Sequence, residues 1–187
     1  LDTDNNPATG RSNGEYEGQP TGVTKPVGSE RVIMIGWRDG NLNGLEAYDP
    51  LNEDVALATN FVFQASGNTL TAVLPLATLG LVKGQTIGVS AFQEGASDGW
   101  VVDWIESDTL TIGGLATTTV SVTDPQDLAD SSGDIRAIGL ELIGGNLHLT
   151  MTVEGAEEPS VAQNPEGQAN RYYYHWLLDT DNNPATG

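Results

Sequence analysis

In 187 residues, 26 Asp and Glu stand against 7 Lys and Arg, for a formal net charge of −19 and a pI near 4.1. That balance argues against a nucleic-acid partner, since phosphate backbones are held by clustered Lys and Arg. The lack of cysteine removes disulfides and thiolate ligands, and no apolar run approaches the roughly 20 residues of a membrane span. The length is ample for one buried core. Its 23 glycines, with short β-branched runs between turn residues, put the chain in the all-β class.

Taken in order, the chain opens on Leu-Asp-Thr-Asp-Asn-Asn-Pro-Ala-Thr-Gly at 1–10, and the same ten residues return at 178–187. Asp2, Asp4 and Asn6 stand at alternate positions, the D-x-D-x-N spacing with which a short loop wraps oxygen atoms around a hard cation. The return sets a period of 177 residues, the separation of Leu1 from Leu178, and reads as one repeat plus overlap cut from a longer array. Residues 11–30 are polar and Gly/Pro-bearing, a loop or ragged edge strand marked by Glu15-Tyr16-Glu17. The apolar run 31–37 lacks clean alternation, as expected of a central strand covered on both faces. Turn chemistry at Asp39-Gly40, Asn43-Gly44 and Asp49-Pro50 predicts that 38–54 crosses one end of a sandwich.

Residues 58–65 and 68–74 predict two strands around Ser66-Gly67-Asn68. Residues 75–80 fit one helical turn, with Pro at its start and Gly at its end. Strands follow at 85–93 and 100–105, with Asp103 embedded among apolar residues, and 110–112 finishes that sheet. Residues 113–127 are a composition break, read as a linker or, at 118–122, an edge strand. Residues 135–143 and 147–153 form a hairpin around Gly144-Gly145-Asn146. A polar loop then leads to a strand at 171–178 that runs straight into the second Asp-rich segment. The resulting division is 1–115, a linker at 116–129, and 130–187. In this frame 130–187 is the N-terminal portion of the natural repeat and 1–115 its C-terminal portion, so the chain is permuted against its own domain.

Read in that rotated frame, Asp130-Ser-Ser-Gly-Asp134, the 135–153 hairpin, Tyr174 through Gly187, the strand and turn at 70–81, and 98–103 resemble the β-sandwich superfamily of family-9-type carbohydrate-binding modules and DOMON-like domains. The LDTDNNPATG segment carries most of that resemblance. It implies a two-sheet antiparallel, jelly-roll-like β-sandwich with structural calcium, found in extracellular sugar-binding, haem-binding and bacterial or archaeal surface-repeat proteins. The haem-binding branch needs a Met/His axial pair; Met34, Met151, His148 and His175 offer the residue types, but no motif pairs them.

The candidate calcium ligands are Asp2, Asp4, Asn6 and Thr9 with Glu15 or Glu17, and in the second copy Asp179, Asp181, Asn183 and Thr186. Pro7 stands where an EF-hand loop has glycine, and no helical flanks exist, so an EF-hand is excluded. The competing reading is an Asx turn without metal. Asp130 and Asp134, with Asp98, Asp103 or Glu106, form a second constellation; Asp103 needs a partner if it points inward. Trp37 and Trp100 are the candidate sugar-stacking rings, while Trp104 and Trp176 are expected in the core. No nucleophile, zinc or phosphate-loop motif occurs, so the chain is not expected to be an enzyme. The expected function is a Ca2+-stabilised repeat of an extracellular or cell-surface structural or adhesive protein. Its partners are identical neighbouring repeats, joined by the strand ending at Leu178 adding to a neighbour's sheet. The alternative is a carbohydrate-binding module with a polysaccharide partner.

Overall fold

Strands dominate because apolar residues recur at every second position, so that one face of each strand enters a shared interior. The computed structural model describes residues 11–12, 15–16, 19–20, 28–38, 41–52, 55–95, 101–113, 122–125, 133–155 and 171–182. Short strands β1 (Arg11–Ser12) and β4 (Gly28–Ser29) pair with each other, as do β2 (Glu15–Tyr16) and β3 (Gln19–Pro20). Then come β5 (Arg31–Arg38), β6 (Asn41–Asp49), β7 (Val55–Ala58), β8 (Val62–Ser66) and β9 (Thr69–Pro75). A single helical turn α1 (Leu76–Leu79) precedes β10 (Thr86–Gly95), β11 (Val101–Thr111), β12 (Val122–Thr123), β13 (Ile135–Ile143), β14 (Asn146–Val153) and β15 (Arg171–Asp179).

Two antiparallel sheets result: one of six strands in the order β11-β10-β15-β5-β6-β7, one of five in the order β12-β13-β14-β9-β8. Their inner faces make one core, in which Ile33, Ile35, Tyr174 and Trp176 of the larger sheet join Leu70, Leu74, Leu149 and Met151 of the smaller. This is the expected all-β, two-sheet antiparallel sandwich. The run 31–37 is covered on both faces, as expected of it: Ile33 enters the core while Val32 packs outside with Phe92 and Leu177. The helical turn at 76–79 ends on Gly80 at φ 70°, a left-handed conformation that glycine adopts without strain.

The segment 38–54 differs from its expectation, since β6 is a full strand paired with β5. Its Gly44 is there for space, not for a turn. The Tyr173 ring lies across the outer face, and a Cβ on Gly36 would sit 2.1 Å from it, while one on Gly44 would meet Met34 at 2.9 Å. Asn43 then donates to the Tyr173 hydroxyl at 2.6 Å. The two strands expected at 100–105 and 110–112 are one strand, β11, with a register shift between its pairs at Val89 and Ala91 of β10.

Strand β15 pairs with β10 on one side and β5 on the other. The strand expected to complete a neighbour's sheet instead lies inside the sheet of its own chain, with both edges hydrogen-bonded there. Both sheets combine strands from 1–115 with strands from 130–187, so the described parts of these portions share one core, and β12, within 116–129, is an edge strand on β13. Among the described residues no helix is long and apolar enough to cross a membrane.

Candidate metal centre

The centre forms where β15 ends beside the start of β5. Leu178 pairs with Arg31, and the Glu30 N–H donates to the Leu178 carbonyl at 3.1 Å. This pairing brings Glu30 against the chain just past β15. The Thr180 N–H donates to Glu30 Oε2, and the Thr180 hydroxyl donates to the same oxygen at 2.8 Å. Asn182 then takes a left-handed φ of 57°, a conformation that Asn tolerates better than most residues.

One carboxylate oxygen from each of Glu30, Asp179 and Asp181 lies within 4.8 Å of the others. Two ligands of a calcium ion, each at about 2.4 Å, are at most about 4.8 Å apart, so the spacing fits one such ion. Glu30 is only 2% exposed, and its second oxygen, Oε1, is buried without a hydrogen-bond partner. Burial pushes the Glu30 carboxyl above its ordinary value of 4.5; the two Thr180 bonds pull it down and the Asp181 charge pushes it up further. A charged oxygen so placed is costly unless a proton, a water or a cation completes it. Neighbouring Arg31 has other partners than the Glu30 carboxylate: its Nε donates to the Leu79 carbonyl at 3.0 Å, and its Nη1 donates to the Glu30 backbone carbonyl and lies 3.3 Å from Asp49 Oδ2.

Of the expected ligands in the second copy, the structure brings together Asp179 and Asp181; Asn183 and Thr186 lie outside the described residues. So do Asp2, Asp4, Asn6, Thr9 and Glu17, while Glu15 stands on β2. Glu30 was not foreseen. Its signal was an acid abutting the apolar run of a central strand, a place where a carboxylate is buried at a sheet end.

A second acidic group joins the two sheets. Asp103 of β11, Asp124 just past β12 and Asp134 just before β13 bring carboxylate oxygens within 4.8 Å of one another. Asp103 points inward: its Oδ2 accepts from the Ile135 N–H across the sheets, and its Oδ1 accepts from the Trp104 N–H at 2.9 Å. The partner that a buried Asp103 requires is thus in part a backbone N–H of the opposite sheet. Asp134 takes the expected place beside it, Asp130 and Asp98 lie outside the described residues, and Asp124 had been read as linker.

The aromatic expectations separate. Trp37 is 4% exposed and meets Phe63 and Tyr174 edge-on in the core, so its ring presents no face to a sugar; that assignment is corrected. Trp176 is in the core as expected, its Nε1 donating to the Thr150 carbonyl at 3.2 Å. Trp104 is instead on the outer face of the larger sheet, stacked on Phe92, which in turn stacks on His175. Trp100 lies outside the described residues. Met34 and His175 are cross-strand neighbours, side by side on one face and not opposed as axial ligands stand.

The fold defines the class, an all-β sandwich of two antiparallel sheets. No protein-family model, curated protein or solved structure matches the chain.

Proposed function

We propose that this chain is a calcium-stabilised sandwich repeat of an extracellular structural or adhesive protein, with its cation held by Glu30, Asp179 and Asp181. One observation carries the reading: the repeated Asp-rich segment delivers two carboxylates to a buried Glu30 whose Oε1 has no hydrogen-bond partner. The donor set is all hard oxygen, which suits calcium over softer metals. A bound ion joins the end of β15 to the start of β5, and so fastens the middle of the larger sheet. Two identical copies of the segment, 177 residues apart, fit a tandem array with one such fastening per repeat. The work of the module is then associative and mechanical, not catalytic. Among the described residues no exposed aromatic platform favours the sugar-binding alternative.

The test is calorimetric. Calcium at about 100 times its dissociation constant should stabilise the fold by about 2.7 kcal/mol over the chelator-treated protein. Asp179→Asn or Asp181→Asn should weaken calcium binding at least about tenfold. A melting temperature identical in calcium and in chelator overturns the proposal.

A further inference from the structure

From residue 55 to residue 82 the chain carries no Asp, Glu, Lys or Arg, within a protein of net charge −19. That run supplies β7 and β8, the terminal strands of the larger and the smaller sheet. The chain passes from one to the other through residues 59–61, so the two edges meet at one side of the sandwich. Phe63 and Ala65 pack against the core, which turns Val62, Gln64 and Ser66 outward. Val62 is 64% exposed and Val55 47%.

Sheet edges are ordinarily blunted with charge, proline or a bulge, because their free backbone groups template pairing with another strand. The opposite terminal strand of the larger sheet follows that practice: β11 carries Glu106 and Asp108. Strand β8 has no charge and no proline, and pairs with β9 without a register shift. The charge pattern selects the occupant. Copies of a strongly acidic chain repel one another over most of their surface, and meet at least electrostatic cost where neither carries charge. A basic partner would be drawn to the acidic faces instead.

We propose that two copies of this chain associate edge to edge by antiparallel pairing of β8 with β8 of a second copy, about a two-fold axis at Gln64. Val62 then faces Ser66 of the partner subunit and Gln64 faces its own counterpart, so one surface serves both copies and the assembly closes. The smaller sheets become one continuous sheet. This goes beyond the calcium reading and does not depend on it, because Glu30, Asp179 and Asp181 adjoin the larger sheet.

Sedimentation equilibrium of the full chain, in calcium and over a range of NaCl, tests the pairing. The expected result is a monomer–dimer equilibrium that shifts towards dimer as salt screens the net charge. Gln64→Lys sets like charges face to face on the axis and should weaken the dimer at least about tenfold, with an unchanged circular-dichroism melt. Val62→Lys should act likewise, whereas Thr109→Lys on β11 should leave the dimer intact. A monomer at every concentration and salt overturns the proposal, as does a dimer indifferent to both β8 variants. Dimer lost on chelation from chains that stay folded would assign the contact to the cation, and likewise overturn it.

Discussion

Should calcium bind as proposed, the contribution of the Glu30 carboxylate to stability reverses sign between the metal-free and the loaded chain. Burial raises its folded-state pKa above the unfolded value near 4.5, so in chelator its contribution to stability is full below that value. It is lost as pH rises through the raised folded value, where the folded chain must hold a desolvated charge. Metal-free Glu30→Gln should therefore melt higher than the parent at neutral pH, and the difference should vanish on acidification below pH about 4.5. In calcium the order should invert, because the amide is a poorer ligand. Paired melts across pH, with and without calcium, read both signs; a variant less stable than the parent in chelator at neutral pH sinks the argument. The D-x-D spacing made Asp179 and Asp181 legible in the sequence. Glu30 was not, since its role arises from a pairing with Leu178 across most of the chain, which no local pattern encodes.

At the scale of elements, alternation exposed β9 and β14, whose apolar residues repeat every second position in front of one core. Strand β6 was hidden, because Asn43-Gly44 has the chemistry of a turn. Its glycine answers to the Met34 side chain on the neighbouring strand, so the residue meant for close approach imitated one meant for reversal. The clearance at Gly36 is the sharper of the two. Gly36→Ala should cost about 1–3 kcal/mol, as expected when a packed contact is overfilled. Combining it with Tyr173→Ala should cost less than the two single changes summed, by about 0.5–3 kcal/mol. Strict additivity in a urea-denaturation cycle would show that the ring moves aside freely. Strand β11 carries a related lesson: its polar centre at Glu106 and Asp108 suggested a break, yet a register shift against β10 absorbs the irregularity and the strand continues.

For the whole molecule, the sequence suggested a chain cut across its natural domain, with a strand to lend at 171–178. The two-sheet architecture was legible from the short strands between turns and from the superfamily resemblance, but the strand's destination was not, because register between distant segments is set by packing. Strand β15 stands in the middle of the larger sheet, so its removal leaves two hairpin-like halves, β10-β11 and β5-β6-β7, with facing unpaired edges. A chain ending at residue 170 should lose cooperative unfolding, and a separate peptide of residues 171–187 should restore it on mixing. Near-ultraviolet circular dichroism of the core, which holds Tyr172, Tyr174, Trp37 and Trp176, would report both; a cooperative melt without the peptide contradicts the central placement. That same placement dictates an order of events. Strand β15 follows both of its neighbours in this sequence yet stands between them, so the slot between β10 and β5 fills only when residues 171–179 pair on both sides. Partners in the β15–β5 ladder stand more than 130 residues apart, a separation that makes closure the slow step of folding. Until that ladder closes, the same slot can take a matching strand from another molecule, so exchange is open to the folding chain and shut to the finished sheet.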